Sequence, residues 1–209
     1  MLVSFHRLVL QQADLTKDRV RTRQAVYQID KRDGTRLYDA IRLSAERLPP
    51  ASVERKAIVL VTDGVDTESR FADAPSTLAW ATEADIPIYV VQYEASEDDD
   101  IVMRTVPSSA TRILERPLSA DAAARAREFL DKLATNSGGQ VYRATTLNGL
   151  ADALRGVAHD LSVLYTVCYY PSNQAQDGTY RRLRVEVTRP GVKVRARLGY
   201  RSARRAGTR

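Results

Sequence analysis

Residues 57–62 read AIVLVT, a continuous apolar run rich in β-branched side chains, and this stretch decides the fold class. A strand with one face in solvent alternates apolar and polar residues, whereas a parallel strand covered on both faces is apolar throughout. The run therefore predicts a central strand of a parallel sheet. It is followed directly by Asp63 and Gly64, which places a carboxylate at the carboxyl end of that strand.

The segments that follow alternate between helix and strand patterns. Apolar spacing predicts helices over residues 75–85, 120–137 and 147–164, and short apolar runs predict strands over residues 86–93 and 140–143. Together with the first strand, these segments give the order β-α-β-α-β-α. That order is typical of an α/β fold with a doubly wound, mostly parallel sheet.

The segment before the first parallel strand contains a predicted hairpin and two predicted helices. Short apolar runs at residues 1–5 and 8–10 favour two strands joined by a tight turn. Asp18 is a candidate cap for a short helix. A second helix is predicted over residues 37–48, where two prolines end it.

The end of the chain has a different pattern. Three strand-like runs predict a C-terminal three-stranded antiparallel meander: residues 165–170, 180–189 and 192–200. We therefore divide the chain into an α/β domain, residues 1–164, and an antiparallel extension with a basic tail, residues 165–209. Residues 94–118 form a long excursion whose purpose the sequence does not indicate, with one strand predicted over residues 101–106.

Composition excludes several classes of protein. Hydrophobic residues make up 44% and charged residues 28%, which is typical of a globular chain that can bury a core. The single cysteine, Cys168, allows no internal disulfide. No run approaches the ~18 apolar residues that a membrane span needs, and the first ten residues lack the pattern of a secretory signal.

The net charge of +6 comes entirely from the end of the chain. Residues 1–177 carry a net charge of −4, and residues 178–209 carry +10. A basic surface of this kind can bind nucleic acid or an anionic surface. The cationic residues alternate with apolar ones, however, as they do on the solvated face of a strand. We favour the solvated face and keep anionic-surface or nucleic-acid binding as an alternative.

Asp63 has a different role in each of the functional alternatives. In doubly wound sheets, ligands bind beyond the carboxyl ends of the strands, and a carboxylate there is a candidate ligand for Mg²⁺. The carboxylate could instead cap the following loop. A haloacid dehalogenase-like phosphotransferase would also place an Asp here, but its second Asp lies two residues on, whereas Asp66 lies three residues on. Neither a nucleophile elbow nor a glycine-rich phosphate loop occurs.

Three segments together resemble a von Willebrand factor type A domain: MLVSF, DGTRLYDAI and AIVLVTDGVDT. Downstream, LATNSGGQVYRATTLNGLADAL and the stretch from LYTVCYYPSNQ to VKVRARLGY are similar to bacterial VWFA-related domain proteins. The resemblance implies a non-enzymatic, adhesion-type protein-binding module with a metal-ion-dependent adhesion site. Carried over by motif, its metal residues here are Thr35 and Asp63. The expected cofactor is Mg²⁺, and the expected partner is a protein that offers an acidic residue.

The sequence departs from the family pattern at one decisive place, because no Asp-x-Ser-x-Ser motif occurs in it. The resemblance matches residues 1–5 to the family's second strand, so we expect the first strand and its metal loop to be missing, as in an N-terminally truncated domain. Unpaired backbone groups and an uncovered apolar slot are then expected between residues 1–5 and 57–62, unless the two strands close up or a partner chain supplies a strand. Mg²⁺ binding is expected to be weak or absent. Full-length relatives are often exported, but this chain shows no signal segment, so its location is left unassigned.

Overall fold

The computed structural model describes residues 1–29, 34–49, 56–94, 119–163, 169–191 and 194–202. These residues form a mixed α/β structure with one three-stranded parallel sheet and two small antiparallel sheets. The α/β prediction is confirmed at this level. The strand predicted over residues 101–106 lies outside the described residues.

The chain begins with an antiparallel hairpin. Strands β1 (Leu2–Phe5) and β2 (Val9–Ala13) pair as the sequence predicts. Helix α1 (Arg19–Tyr27) follows, and the Asp18 carboxylate accepts the backbone N–H groups of Val20 and Arg21 at 2.9 and 3.0 Å. The predicted cap is therefore confirmed. Asp18 satisfies donors that a helix start otherwise leaves unbonded.

Helices and strands then alternate. Their order is α2 (Leu37–Arg47), β3 (Ile58–Thr62), α3 (Ala74–Glu83), β4 (Ile88–Tyr93), α4 (Ala120–Ser137), β5 (Val141–Ala144) and α5 (Leu147–Val163). The parallel sheet has the strand order β3-β4-β5. Helix α4 ends at Gly138, whose φ of +79° is a left-handed conformation that glycine adopts easily.

The core lies on both faces of β4. On one face, α2, α3 and α4 pack over the buried Leu60 and Val90, and α4 contributes the fully buried Leu130. On the other face, Tyr89 and its neighbours pack against α5 through Val157. A strand covered in this way needs no polar face, and Ile88 to Val91 are indeed fully buried.

Strand β3 differs from the prediction of a central strand. Within the described residues it pairs only with β4 and therefore lies at the edge of the parallel sheet. Leu60 is buried, but Val59 and Val61 remain 42% and 45% exposed. Val59 and Val61 are exposed because α5 packs on β4 and β5 and leaves their face of β3 open.

The predicted C-terminal meander is also different. The structure contains two short antiparallel strands, β6 (Tyr180–Arg182) and β7 (Gly199–Arg201), in place of three longer ones. Of the first predicted strand, residues 165–168 lie outside the described residues, and Tyr169 and Tyr170 are in no strand.

The pairing of β6 with β7 extends by one hydrogen bond, from the Leu183 N–H to the Leu198 carbonyl at 2.9 Å. Beyond it, Val185, Val187 and Val194 are exposed. Alternation predicts a half-buried strand only where a second layer covers its apolar face. No described element covers these valines, so the alternating pattern does not produce a long ladder here.

Candidate functional site

The two residues predicted to bind metal border the same cleft. A cavity of about 700 Å³ opens between β1 and β3, and both Thr35 and Asp63 lie in its wall. We refer to it as the β1–β3 cleft. It occupies the place of the apolar slot that the sequence predicts between residues 1–5 and 57–62. Asp63 marks the end of the cleft at the carboxyl end of β3.

The Asp63 carboxylate is exposed and partly used by its own loop. Its Oδ1 atom accepts the backbone N–H of Val65 at 3.0 Å. Loop capping, one of the two interpretations of this residue, is therefore present in the structure. Capping uses one oxygen, and the contacts of the described residues record no hydrogen bond to Oδ2. The Asp63 side chain as a whole is exposed.

Thr35 is held beside the loop after Asp63 by backbone hydrogen bonds. Its N–H donates to Thr67 Oγ1 at 2.8 Å. In return, the N–H groups of Thr67 and Glu68 donate to the Thr35 carbonyl at 2.9 and 3.0 Å. These bonds use only the main chain of Thr35, so its hydroxyl takes no part in connecting the two loops.

Asp66 caps helix α2 from a distant part of the chain. The N-cap residue Arg36 makes no side-chain cap. Instead, Asp66 Oδ1 accepts the Tyr38 N–H at 3.3 Å and the Ser69 hydroxyl at 2.6 Å, while Ser69 Oγ accepts the Asp39 N–H at 3.1 Å. Burial, and then the charge of Asp66, raises the pKa of Tyr38. Because Asp66 is used in this way, it is poorly placed to act as the second carboxylate of a phosphotransferase.

A polar row at the carboxyl ends of the three parallel strands escaped the sequence analysis. The buried Gln92 side chain donates to the Asp63 carbonyl at 3.3 Å and accepts from Arg143 Nε at 3.1 Å. Arg143 in turn donates to both carboxylate oxygens of Asp131 at 2.8 Å. The one feature of the sequence that could have identified these residues is their position, because Gln92 and Arg143 lie near the carboxyl ends of predicted strands.

A second ion pair extends this row. Glu94 follows β4 and accepts a hydrogen bond from Arg127 Nε at 2.8 Å. This hydrogen bond holds the pKa of Glu94 below its usual value. The carboxyl edge of the sheet thus presents alternating charges, most of which are already paired with each other.

The residues present do not fit a complete Mg²⁺ site. Thr35 and Asp63 together supply two oxygen donors, whereas Mg²⁺ requires near-octahedral coordination and retains several waters when few protein ligands are available. Among the described residues, no group of three or more His, Cys, Asp or Glu side chains is arranged to hold a metal ion.

The cationic face predicted at the C-terminus is largely paired with carboxylates. The pairs are Arg195–Asp160, Arg201–Glu83 at 2.7 Å, Arg197–Asp85 at 3.6 Å, Arg181–Asp177 at 3.6 Å and Arg184–Glu186 at 2.6 Å. Three of these acidic partners lie in or beside the helices of the α/β unit. The arginines therefore connect the C-terminal segment to that unit, which leaves less free charge for a polyanion.

No helix in the part of the chain that the structure describes is both long enough and apolar enough to cross a membrane. The fold and the polar loops together define an α/β unit with a cleft at the edge of its parallel sheet.

Solved structures of similar fold support this description. A conserved hypothetical protein, BatB, from Bacteroides thetaiotaomicron matches with a TM-score of 0.54 and 17% identity, over 77% of this chain and 76% of that chain. An aerotolerance-related membrane protein from Bacteroides fragilis, with multiple mutations to serines, matches with a TM-score of 0.51 and 17% identity, over 78% of both chains. At this identity the likeness concerns the fold alone. No protein-family model and no curated protein matches the chain.

Proposed function

We propose that the α/β unit is a von Willebrand factor type A-like domain with an incomplete metal-ion-dependent adhesion site, and that the chain is a non-enzymatic protein-binding module. One observation carries this proposal: Thr35 and Asp63, which the resemblance selects from different loops, border a single cleft at the carboxyl end of a parallel strand. The cross-loop bonds between Thr35 and Thr67 hold this arrangement. The exposed Asp63 oxygen is available to a partner.

Binding through this rim is expected to depend little on Mg²⁺, because only two donors of the family's site are present. Titration of the full chain with Mg²⁺, followed by amide chemical shifts, tests this expectation. Small shifts at the Thr35 and Asp63 loops at millimolar Mg²⁺, absent from Asp63→Ala, agree with an incomplete site. Asp14→Ala, which removes an exposed carboxylate beside the hairpin, is the matched control.

Two outcomes contradict parts of the proposal. Sub-micromolar Mg²⁺ binding that Asp63→Ala abolishes would show that the site is complete. If the chain hydrolysed p-nitrophenyl phosphate, and Asp63→Asn lost this activity while Asp14→Ala kept it, the chain would be a phosphotransferase and not a binding module. Asp63 is the appropriate probe in both assays because its side chain is exposed, so its replacement leaves the core intact.

A further inference from the structure

The β1–β3 cleft separates two strand edges that face each other. Its walls come from Met1 to Phe5 on one side and from Ala57 to Asp63 on the other. Within the described residues, β1 pairs only with β2 and β3 pairs only with β4. Each strand therefore turns one hydrogen-bonding edge toward the cleft.

Hydrogen bonds on the paired side show which backbone groups are left over. The Ile58 N–H donates to the Pro87 carbonyl at 3.0 Å, so even-numbered residues of β3 bond to β4. Successive residues in a strand direct their backbone groups to opposite sides. The N–H and C=O groups of Val59 and Val61 therefore point into the cleft, where the described residues offer them no strand partner.

The same alternation applies to β1. The His6 N–H donates to the Leu8 carbonyl at 3.1 Å at the end of the hairpin, and Ser4 lies opposite Leu10. Residues of β1 with even numbers thus bond to β2. The backbone groups of Val3 and Phe5 then point away from β2, on the edge that lines the cleft.

The side chains that line the cleft are mostly apolar. They include Ile41 of α2, Leu48 directly after that helix, and Leu15, Val26 and Ile29. A strand placed in the cleft would contact these apolar side chains, and strands buried in apolar surroundings are continuous apolar runs. The structure thus specifies both the backbone and the side chains of a suitable occupant.

The distribution of charge in the cleft indicates where a charged residue of the occupant would lie. Asp63 is the one charged side chain among the described residues that line the cleft, and it lies at one end. The occupant must be uncharged along its middle, and a basic residue at the Asp63 end would be favoured.

We propose that the β1–β3 cleft binds an extended peptide strand of five or six uncharged, β-branched residues with a basic residue at the Asp63 end. The strand would hydrogen-bond to both facing edges, as in β-strand addition. This inference rests on the proposed protein-binding function and extends it from the Asp63 rim to the strand edges inside the same cleft. It rests on backbone edges and not on Mg²⁺, so each can fail without the other.

The probe is the synthetic peptide acetyl-Lys-Lys-Val-Val-Ile-Val-Val-Lys-Lys-amide, added to the full chain. Backbone amide hydrogen exchange at Val59 and Val61 is the readout, and we expect it to slow by about tenfold or more. The Leu60 N–H, which faces β4, is the internal control and should change little. A peptide with glutamates in place of the lysines should bind less well, and Asp63→Asn should remove the difference.

Two matched controls separate strand pairing from hydrophobic adhesion. The first is the same peptide with N-methyl groups on alternate central residues, which keeps its side chains but removes donors along one edge. The second is Val61→Pro, which removes an N–H that does not bond to β4, and proline is tolerated on strand edges. Both changes should abolish the protection at Val59.

Three results would overturn the proposal. Equal protection by the N-methylated peptide would mean that binding does not use strand pairing. Amides of Val59 and Val61 that are already protected in dilute chain without peptide would mean that the cleft is closed. Protection that appears only with dimer formation in sedimentation experiments, and that the peptide does not displace, would assign the edge to a second copy.

Discussion

The buried carboxylate of Asp39 accepts the backbone N–H of Phe71 at 2.9 Å, across 32 residues of sequence. The same carboxylate accepts the N–H groups of Arg70 and Ala72 at 2.9 and 3.0 Å. One side chain of α2 thus satisfies three successive donors of the loop that follows Asp63. This arrangement fixes the loop against the helix whose first turn lies beside Thr35.

Replacing Asp39 should therefore destabilise the chain. Asp39→Asn keeps the shape but turns an amide donor toward backbone donors, and we expect the unfolding free energy to fall by about 1–3 kcal/mol. Urea denaturation measures this change. Hydrogen exchange should also become faster at Arg70 to Ala72. Glu46→Gln, on the exposed part of the same helix, is the control, and an equal loss in both variants would contradict the assigned role.

Gly64 joins Asp63 to the loop in a conformation that requires glycine. Its φ is +93°, and an added Cβ would lie 2.7 Å from Leu130 Cδ1 and 3.1 Å from the Ala126 Cβ. Backbone strain and overpacking both oppose a side chain here. We expect Gly64→Ala to lower the unfolding free energy by about 2–4 kcal/mol, measured by thermal or urea unfolding.

Gly191 is the matched control for that substitution. Its φ is +77°, but an added Cβ meets no atom within 4 Å. Gly191→Ala should therefore cost only the backbone strain, about 1 kcal/mol. If the two variants lost equal stability, the contact with Leu130 would not contribute.

Sequence reasoning predicted the elements whose boundaries depend on nearby residues. Asp18 caps α1 as expected, and the predicted helices 75–85 and 120–137 form as α3 and α4, with Pro75 in the first turn of α3 and Gly138 directly after α4. Each signal acts through atoms within a few residues of itself. Helices and parallel strands are therefore the part of this fold that a single sequence specifies best.

Long-range features were not predictable in the same way. AIVLVT indicates a strand with two covered faces, but the pattern does not say which element supplies the cover, and the face with Val59 is half open. The roles of Asp39 and Gln92 depend on partners 29 to 51 residues away. Asp63 and Thr35 were selected by resemblance, and the structure brings them to one cleft without deciding what binds there.

The Asp160 carboxylate makes the stability of the chain depend on pH. It accepts hydrogen bonds from Tyr142 and Arg195. Burial alone would raise the pKa of Asp160, but these hydrogen bonds and the charge of Arg195 outweigh it and hold the pKa below its usual value. A depressed folded-state pKa gives stability that is present above the unfolded pKa, about 3.9, and is lost as pH falls through the folded pKa.

Asp160→Asn should therefore destabilise the chain at neutral pH by about 1 kcal/mol, since the pair is only partly buried. The difference from the unmodified chain should shrink as pH falls below about 4. Urea unfolding at a series of pH values measures it. Asp152→Asn disrupts the exposed Asp152–Arg155 pair and should have little effect at any pH. A difference that persisted at low pH would show that charge is not its source.

The ionisation of Tyr142, which donates a hydrogen bond to Asp160, makes stability depend on pH in the alkaline range as well. Burial, and then the hydrogen bond to Asp160 and its negative charge, raises the pKa of Tyr142 to about 12. A raised folded-state pKa contributes stability that is present below the unfolded pKa, about 10, and is lost as pH rises through the folded value.

Asp160→Asn should lower the pKa of Tyr142, because the negative charge that disfavours the phenolate is removed while the charge of Arg195, which favours the phenolate, remains. Titration of ¹³C-labelled tyrosine by NMR, with the Tyr142 signal assigned from Tyr142→Phe, measures the shift. Tyr38, whose pKa is raised by burial and by Asp66, is the control and should titrate as before. If the Tyr142 titration did not move in Asp160→Asn, burial alone would account for its raised pKa, and the hydrogen bond to Asp160 would have no energetic role.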